Sequence, residues 1–347
     1  MFRTYIGSAD GVYRLEEGAL THLGLEGKLV WAIYAFNRSA ENNPENDIIL
    51  AGSYGDGLFR SDNGGATWSC IENGLTISAF RTFLTDPADP QSILLGGEPG
   101  RAFRSSDNGL TWQELTGFTT LPEIDDWYLP YSPRAGAIRN FYSPPNRPQT
   151  LFASVEVGGL LRSDDGGATW KKITVLDDED MHFITGHPDN ADELWVSMGW
   201  VTLNDRLPFK HPALGGMAHS TDGGKSWQKV IPNDYTRAMI VPPAHPDLIL
   251  AAPGRQVNHE AQIVVSADKG ITWQFAGYGI ENPIEDTIEL FVAAPDDSIW
   301  AICSEGRLFW AKGDSRVAAE WQWQSALDKK HVANIKVKSV AFISTSA

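Results

Sequence analysis

Five octets of the chain superimpose without a gap: SDNGGATW (61–68), SSDNGLTW (105–112), SDDGGATW (163–170), STDGGKSW (220–227) and SADKGITW (266–273). Each ends in tryptophan, and Trp68, Trp112, Trp170, Trp227 and Trp273 recur 44 to 58 residues apart. A self-similar unit of that period is long enough for four short strands and their loops, and too long for a solenoid turn of one strand and one helix. Within each octet the chemistry is that of a tight turn. A short carboxylate accepts backbone N–H bonds, glycine supplies a left-handed backbone position, and the indole is left to pack. Asp107, Asp165, Asp222 and Asp268 are therefore expected to clamp turns rather than act as catalytic acids. Asn63 replaces the aspartate in the first octet, and an amide oxygen can accept the same bonds.

Each octet follows a short alternating run (GLFRS, RAFRS, GLLRS, GMAHS, QIVVS), as a half-buried strand entering a turn would. Two further runs, GVYRL at 11–15 and GRLFWA at 306–311, lack a good octet and raise the count to seven. The expectation is an all-β, seven-bladed β-propeller occupying residues 1–347 as one domain. Its innermost strands are expected at 30–36, 80–85, 138–143, 181–186, 236–241, 289–294 and 337–343. The last of these should complete the blade begun by residues 2–24, so that a strand clasp closes the ring and leaves no open edge.

Composition narrows the partners. A formal charge of −16 and a pI near 4.9 argue against a nucleic-acid backbone, which needs a concentrated cationic surface. The two cysteines, Cys70 and Cys303, fall in different repeats, which is no disulfide framework and suits a reducing compartment. The N-terminus shows no apolar signal core, and no run approaches the length of a membrane span, so a cytoplasmic protein without membrane contact is expected.

The octets resemble the Asp-box (BNR) repeat of sialidases and of seven-bladed propellers related to photosystem II assembly factors and sortilin-type receptors. The segment SVEVGGLLRSDDGGATW (154–170) is similar to bacterial propellers labelled as glycosyl hydrolases. This resemblance implies the fold for nearly the whole chain. It implies less about function, because the architecture hosts glycosidases, lyases, receptors and assembly factors alike. Sialidase roles do not transfer, since a Phe-Arg-Ile-Pro motif is lacking and seven blades are counted instead of six.

In a blade whose strands run outward, the turns from the second to the third strand share a face with those from the fourth strand to the next blade. The octets lie on the other face. Two long insertions, 116–137 and 198–215, fall on the first face and offer aromatic and charged side chains, among them Trp127, Tyr128, Trp200 and His211; Arg255 and His259 join them from a later repeat. Pro87, Pro145, Pro188, Pro243 and Pro295 end five inner strands, and the residue six places before each is Arg81, Arg139, His182, Arg237 and Glu289. The remaining two inner strands lack that proline and put Trp31 and Lys338 nearby. A second set of acids follows the second strands: Asp10, Asp56, Glu98, Glu156 and Glu305.

Two readings of this mouth stand open. In one, Arg81, Arg139, Arg237 and His182 bind an anionic or sugar-like small molecule, with Glu98, Glu156, Glu305 and His182 as acid–base groups of a glycosidase-like hydrolase or a lyase. In the other, acids and bases neutralise one another, and the propeller is a scaffold for a protein partner. The run Asp177 to Asp180 before His182 has no metal-loop spacing and is expected to be a solvated loop. No cofactor or metal motif is found.

Overall fold

The structure is a computed structural model that describes residues 2–37, 42–86, 89, 91–127, 136–200, 214–313, 317–327 and 335–345. Among these residues are seven four-stranded antiparallel sheets arranged as the blades of a propeller. We number them by inner strand: Val337–Ser344 for blade 1, then Val30–Asn37, Ala79–Thr85, Ala137–Tyr142, Met181–His187, Tyr235–Ile240 and Ile288–Ala293 for blades 2 to 7. The inner strands agree with the expected ones to within a residue or so at each end. Among the described residues no helix is long and apolar enough to cross a membrane.

Burial grades outward through each blade. The second strand is covered on both faces by neighbouring blades, so Leu151–Glu156 and Ile93–Glu98 are buried at every position. This is why these segments read as continuous apolar runs and not as alternation. The fourth strands, such as Lys171–Ile173, are short and mostly open to solvent.

Blade 1 is the clasp. Phe2–Ser8 pairs with Gly11–Glu16 on one side and with Val337–Ser344 on the other, in register from Phe2 with Ser344. Arg3 anchors this blade to the next: its Nε and Nη2 donate to Asp47 Oδ2 and Oδ1 at 2.6 and 2.7 Å, and Tyr5 Oη donates to the same carboxylate at 2.6 Å.

The octet turns perform the local chemistry read from them. In blade 4, Ser163 Oγ donates to Asp165 Oδ1 at 2.7 Å and accepts from the Gly167 amide at 2.8 Å. Asp165 then accepts from the Thr169 amide and hydroxyl at 2.8 and 2.6 Å. Gly167 adopts φ +93°, the left-handed conformation that glycine tolerates best. In blade 2, Asn63 accepts from the Thr67 amide at 2.9 Å and donates to its hydroxyl at 2.9 Å, so the amide reproduces the turn.

The octet tryptophans are less uniform than expected. Trp112 and Trp170 are buried, whereas Trp68, Trp227 and Trp273 are half-buried. Trp68 and Trp273 lie against the preceding blade, their indole N–H groups donating to the Leu23 and Val230 carbonyls at 2.7 and 3.1 Å. At that radius one ring face stays near solvent.

A second tie runs between blades. Arg60, Arg104 and Arg162, each from the strand entering an octet, donate to octet carbonyls of the following blade at Asn108, Gly166 and Gly223, the last two at 2.7 and 3.0 Å. Blade 5 has His219 at the corresponding place. There Trp195, stacked on His219 at 4.7 Å, donates to the Lys269 carbonyl of blade 6 at 3.3 Å.

Candidate functional site

Every inner strand carries a register shift at one place. The ladder skips Trp31, Arg81, Arg139, His182 and Glu289, one residue each, in blades 2, 3, 4, 5 and 7. In blade 6 it skips Arg237 with Ala238, and in blade 1 it skips Lys338. A bulge leaves one residue unpaired and re-aims its side chain. These seven side chains, with Phe183 and Leu290, line the mouth of the central channel, on the face opposite the octets. The cavity they enclose is about 60 Å³, room for a few waters or a small ion but not for a sugar ring. Beyond it the channel widens to about 260 Å³ against mainly apolar side chains, among them Ile33, Phe83 and Val340.

The charges at the mouth are largely paired. Arg81 donates to Glu98, its Nε lying 3.1 Å from Oε2. Its guanidinium also sits 3.8 Å over the Trp31 ring and 4.7 Å over Tyr54, while Tyr54 Oη donates to Glu98 at 3.2 Å. Arg139 lies 3.1 Å from Glu289 and 3.4 Å from Glu156. Arg237 donates to Glu289, to Tyr235 Oη at 2.7 Å, and lies 3.7 Å from Glu156. Burial alone would raise the Glu156 and Glu289 carboxyls. The two arginines override it and hold both below the usual carboxylate range.

Three groups at the mouth differ. Lys338 Nζ donates to the Ser304 carbonyl at 2.6 Å and no ion pair of it is found among the described residues; burial lowers its pKa, with Glu289 pulling the other way. Arg81 Nη1 is buried with no acceptor. His182 has a side chain only 1% exposed, and neither ring nitrogen has a hydrogen-bond partner among the described residues. Its Nε2 is 3.5 Å from Asp180 Oδ1, and Glu156, Asp180 and His182 bring one ligand atom each within 4.8 Å of one another.

Other predicted residues lie elsewhere. Glu305 is a surface residue paired with Lys336 at 3.1 Å, because it stands two residues beyond the end of Ile299–Cys303. Asp10 accepts from the Gly27 amide at 2.6 Å and Asp56 pairs with Lys28 at 3.2 Å, both near the surface. Trp127 is not a ligand wall. It is buried in the blade 4 core among Phe118, Ile138 and Val155. Trp200 is buried likewise, against Leu214 and Tyr235, with its indole N–H donating to the Asn233 carbonyl at 3.0 Å. Arg255 and His259 are exposed, beside Glu260 and Glu285 at 3.3 Å each, and are not among the residues that line the mouth. Tyr128 and His211 lie outside the described residues.

The acidic run is also corrected. Asp178, Glu179 and Asp180 are buried, not solvated. Asp178 accepts from the Gly215 and Asp180 amides at 2.6 and 2.9 Å, and burial together with the neighbouring Asp180 pushes its carboxyl well up. Asp180 was missed as a member of the mouth. Its signal was its place two residues before His182, at the entry to an inner strand.

Fold and repeats together make this chain a seven-bladed Asp-box propeller. The family model for the BNR/Asp-box repeat matches residues 218–229. Among curated proteins the chain is similar to the xyloglucanase Xgh74A of Acetivibrio thermocellus, 24% identical over 215 residues. That match takes in 54% of this chain and only 25% of the relative's length. Among solved structures it is similar to the GH74 xyloglucanase from Xanthomonas campestris, with a TM-score of 0.66 and 15% identity over 99% of this chain and 52% of that one. It is also similar to YCF48 bound to D1 peptide, with a TM-score of 0.53 and 13% identity over 90% and 92% of the two chains.

Proposed function

We propose that this propeller is a glycosyl-hydrolase-like, saccharide-binding protein whose channel mouth seats an acidic group of its ligand. The observation that carries this is the cationic side of the mouth. Arg81 and Lys338 flank Trp31, and among the described residues the first has a buried donor without an acceptor and the second has no ion pair. An anionic oxygen would complete both. The likeness to xyloglucanases supports a saccharide as the body of the ligand. The cavity is too small for a ring, so only a substituent would enter while the sugar rests outside.

The same mouth favours binding over hydrolysis. Glycoside cleavage by two carboxyls needs one of them protonated as the acid, with its pKa raised. Glu156 and Glu289 are both held low by Arg139 and Arg237. A second reading, a docking face for a protein segment, is favoured by the closed Arg139–Glu156–Arg237–Glu289 network, which is neutral without any small ligand.

Calorimetry with neutral xyloglucan oligosaccharides, uronic-acid oligosaccharides and simple carboxylates tests the proposal. The acidic saccharides should bind the natural chain, and Lys338→Met should weaken them about tenfold or more, as loss of a charge-assisted hydrogen bond would. Equal binding by Lys338→Met, or no saccharide binding at all, would overturn it in favour of the docking face.

A further inference from the structure

We infer that Glu156, Asp180 and His182 form a binding site for one divalent first-row transition-metal ion, a site separate from the cationic side of the mouth. The inference starts from His182. A buried imidazole in a folded protein almost always bonds through at least one nitrogen, yet among the described residues neither nitrogen of this ring has a hydrogen-bond partner. The unfilled atoms beside it are acceptors. Among the described residues Asp180 Oδ1 and Glu156 Oε2 are also buried without a hydrogen-bond partner, although Arg139 Nη1 lies 3.4 Å from that Glu156 oxygen. A ligand atom from each of these three residues, on two blades, therefore lies within 4.8 Å of the others with no hydrogen bond joining them among the described residues, which is costly unless something does.

The geometry suits an ion. Ligand atoms bound to zinc at about 2.0–2.1 Å in a tetrahedron lie roughly 3.4 Å apart. The Asp180 to His182 separation of 3.5 Å already matches. One ligand atom from each of the three residues lies within 4.8 Å of the others, so Glu156 need move by no more than about 1.4 Å. Gly199 leaves the space: a Cβ there would stand 1.9 Å from Asp180 Oδ2 and 2.8 Å from His182 Nε2. Supporting bonds are present too. The Trp200 amide donates to Asp180 Oδ2 at 3.3 Å, and Arg139 and Arg237 face Glu156, orienting the carboxylates as outer partners of a metal site do.

Charge points the same way. Arg139 and Arg237 pair with Glu156 and Glu289, while Asp180 has only His182 as an ion-pair partner among the described residues, so its charge is left for a cation to offset. One imidazole and two carboxylates select zinc-like ions over calcium or magnesium, which take six or more oxygens or keep most of their water. A fourth position would open to the mouth, which His182 lines.

The test is a zinc titration of the chelator-stripped full chain by calorimetry, with cobalt(II) absorption as an independent readout. One ion should bind per chain and raise the melting temperature, and magnesium should not compete. His182→Gln and Gly199→Ala should each weaken zinc at least tenfold, while His259→Ala, which removes an exposed histidine, should leave binding unchanged. Cobalt should give the visible bands of a four-coordinate site in the natural chain, a measurement that needs no variant to fold. Absence of a saturable site, a cobalt spectrum of the hydrated ion only, or His182→Gln binding as tightly as the natural chain would overturn the inference. Loss of zinc binding would leave the Lys338 test untouched, so the two proposals fail separately.

Discussion

Asp165 shows how much a single carboxylate does in this fold and how little of it is chemistry on a substrate. The Thr169 hydroxyl and amide, then the Ser163 hydroxyl, hold its pKa at about 2 against an ordinary 3.8. A depressed carboxyl contributes its stability above the unfolded value and loses it as pH falls through the folded one. The turn is therefore fully clamped above about pH 4 and released toward pH 2. Asp165→Asn should lower the melting temperature at neutral pH by only about 1–3 °C, as Asn63 already makes the same turn, and should flatten the decline between pH 4 and 2. Ligand binding should not change, since the octets lie opposite the mouth. Scanning calorimetry across that range checks it, and a variant as acid-sensitive as the natural chain would show that the turn does not govern the decline. At this scale the sequence was legible where a residue's role is set by its neighbours in the chain. It was not legible where the role depends on other segments. Nothing local says that Trp127 and Trp200 fold inward, or that Asp180 turns from solvent to meet Glu156 of another blade.

Among elements, the inner strands were the best read, because a proline at each strand end fixed a common register in five of them. The reading placed the seven mouth residues together without knowing why they point inward. The bulge is the reason. It depends on the pairing of two strands, which no single strand's pattern records. The same limit hid the ties between blades: Arg60, Arg104 and Arg162 stand out in their runs, but their acceptors are backbone carbonyls some 50 to 60 residues on. Arg162→Met removes the bond to Gly223 together with the guanidinium's contacts to Asp164 and to the Phe152 ring. It should destabilise the chain by about 1–2 kcal/mol, measurable by denaturant unfolding. A change under about 0.3 kcal/mol would mean that the tie is dispensable.

For the whole molecule, the clasp decides how the ring holds together. Removing residues 337–347 would strip the inner strand from blade 1 and bare the edge of Phe2–Ser8, along with the side of blade 2 that Val337–Ser344 covers. An open edge of that kind pairs with other chains. The truncated protein should elute as aggregates or oligomers in gel filtration and lose its single cooperative transition; a well-behaved monomer would show that the ring does not need its clasp. The bulges carry a different consequence. Each mouth residue is supernumerary to its ladder, so its identity is insulated from the strand pairing around it. Trp, Arg, His, Glu and Lys already occupy equivalent places. The mouth thus behaves as seven editable letters on a fixed frame, tied to one another by ion pairs and ring contacts but not to the ladder, and a lineage could rewrite what it recognises by matched substitutions without relearning how to fold.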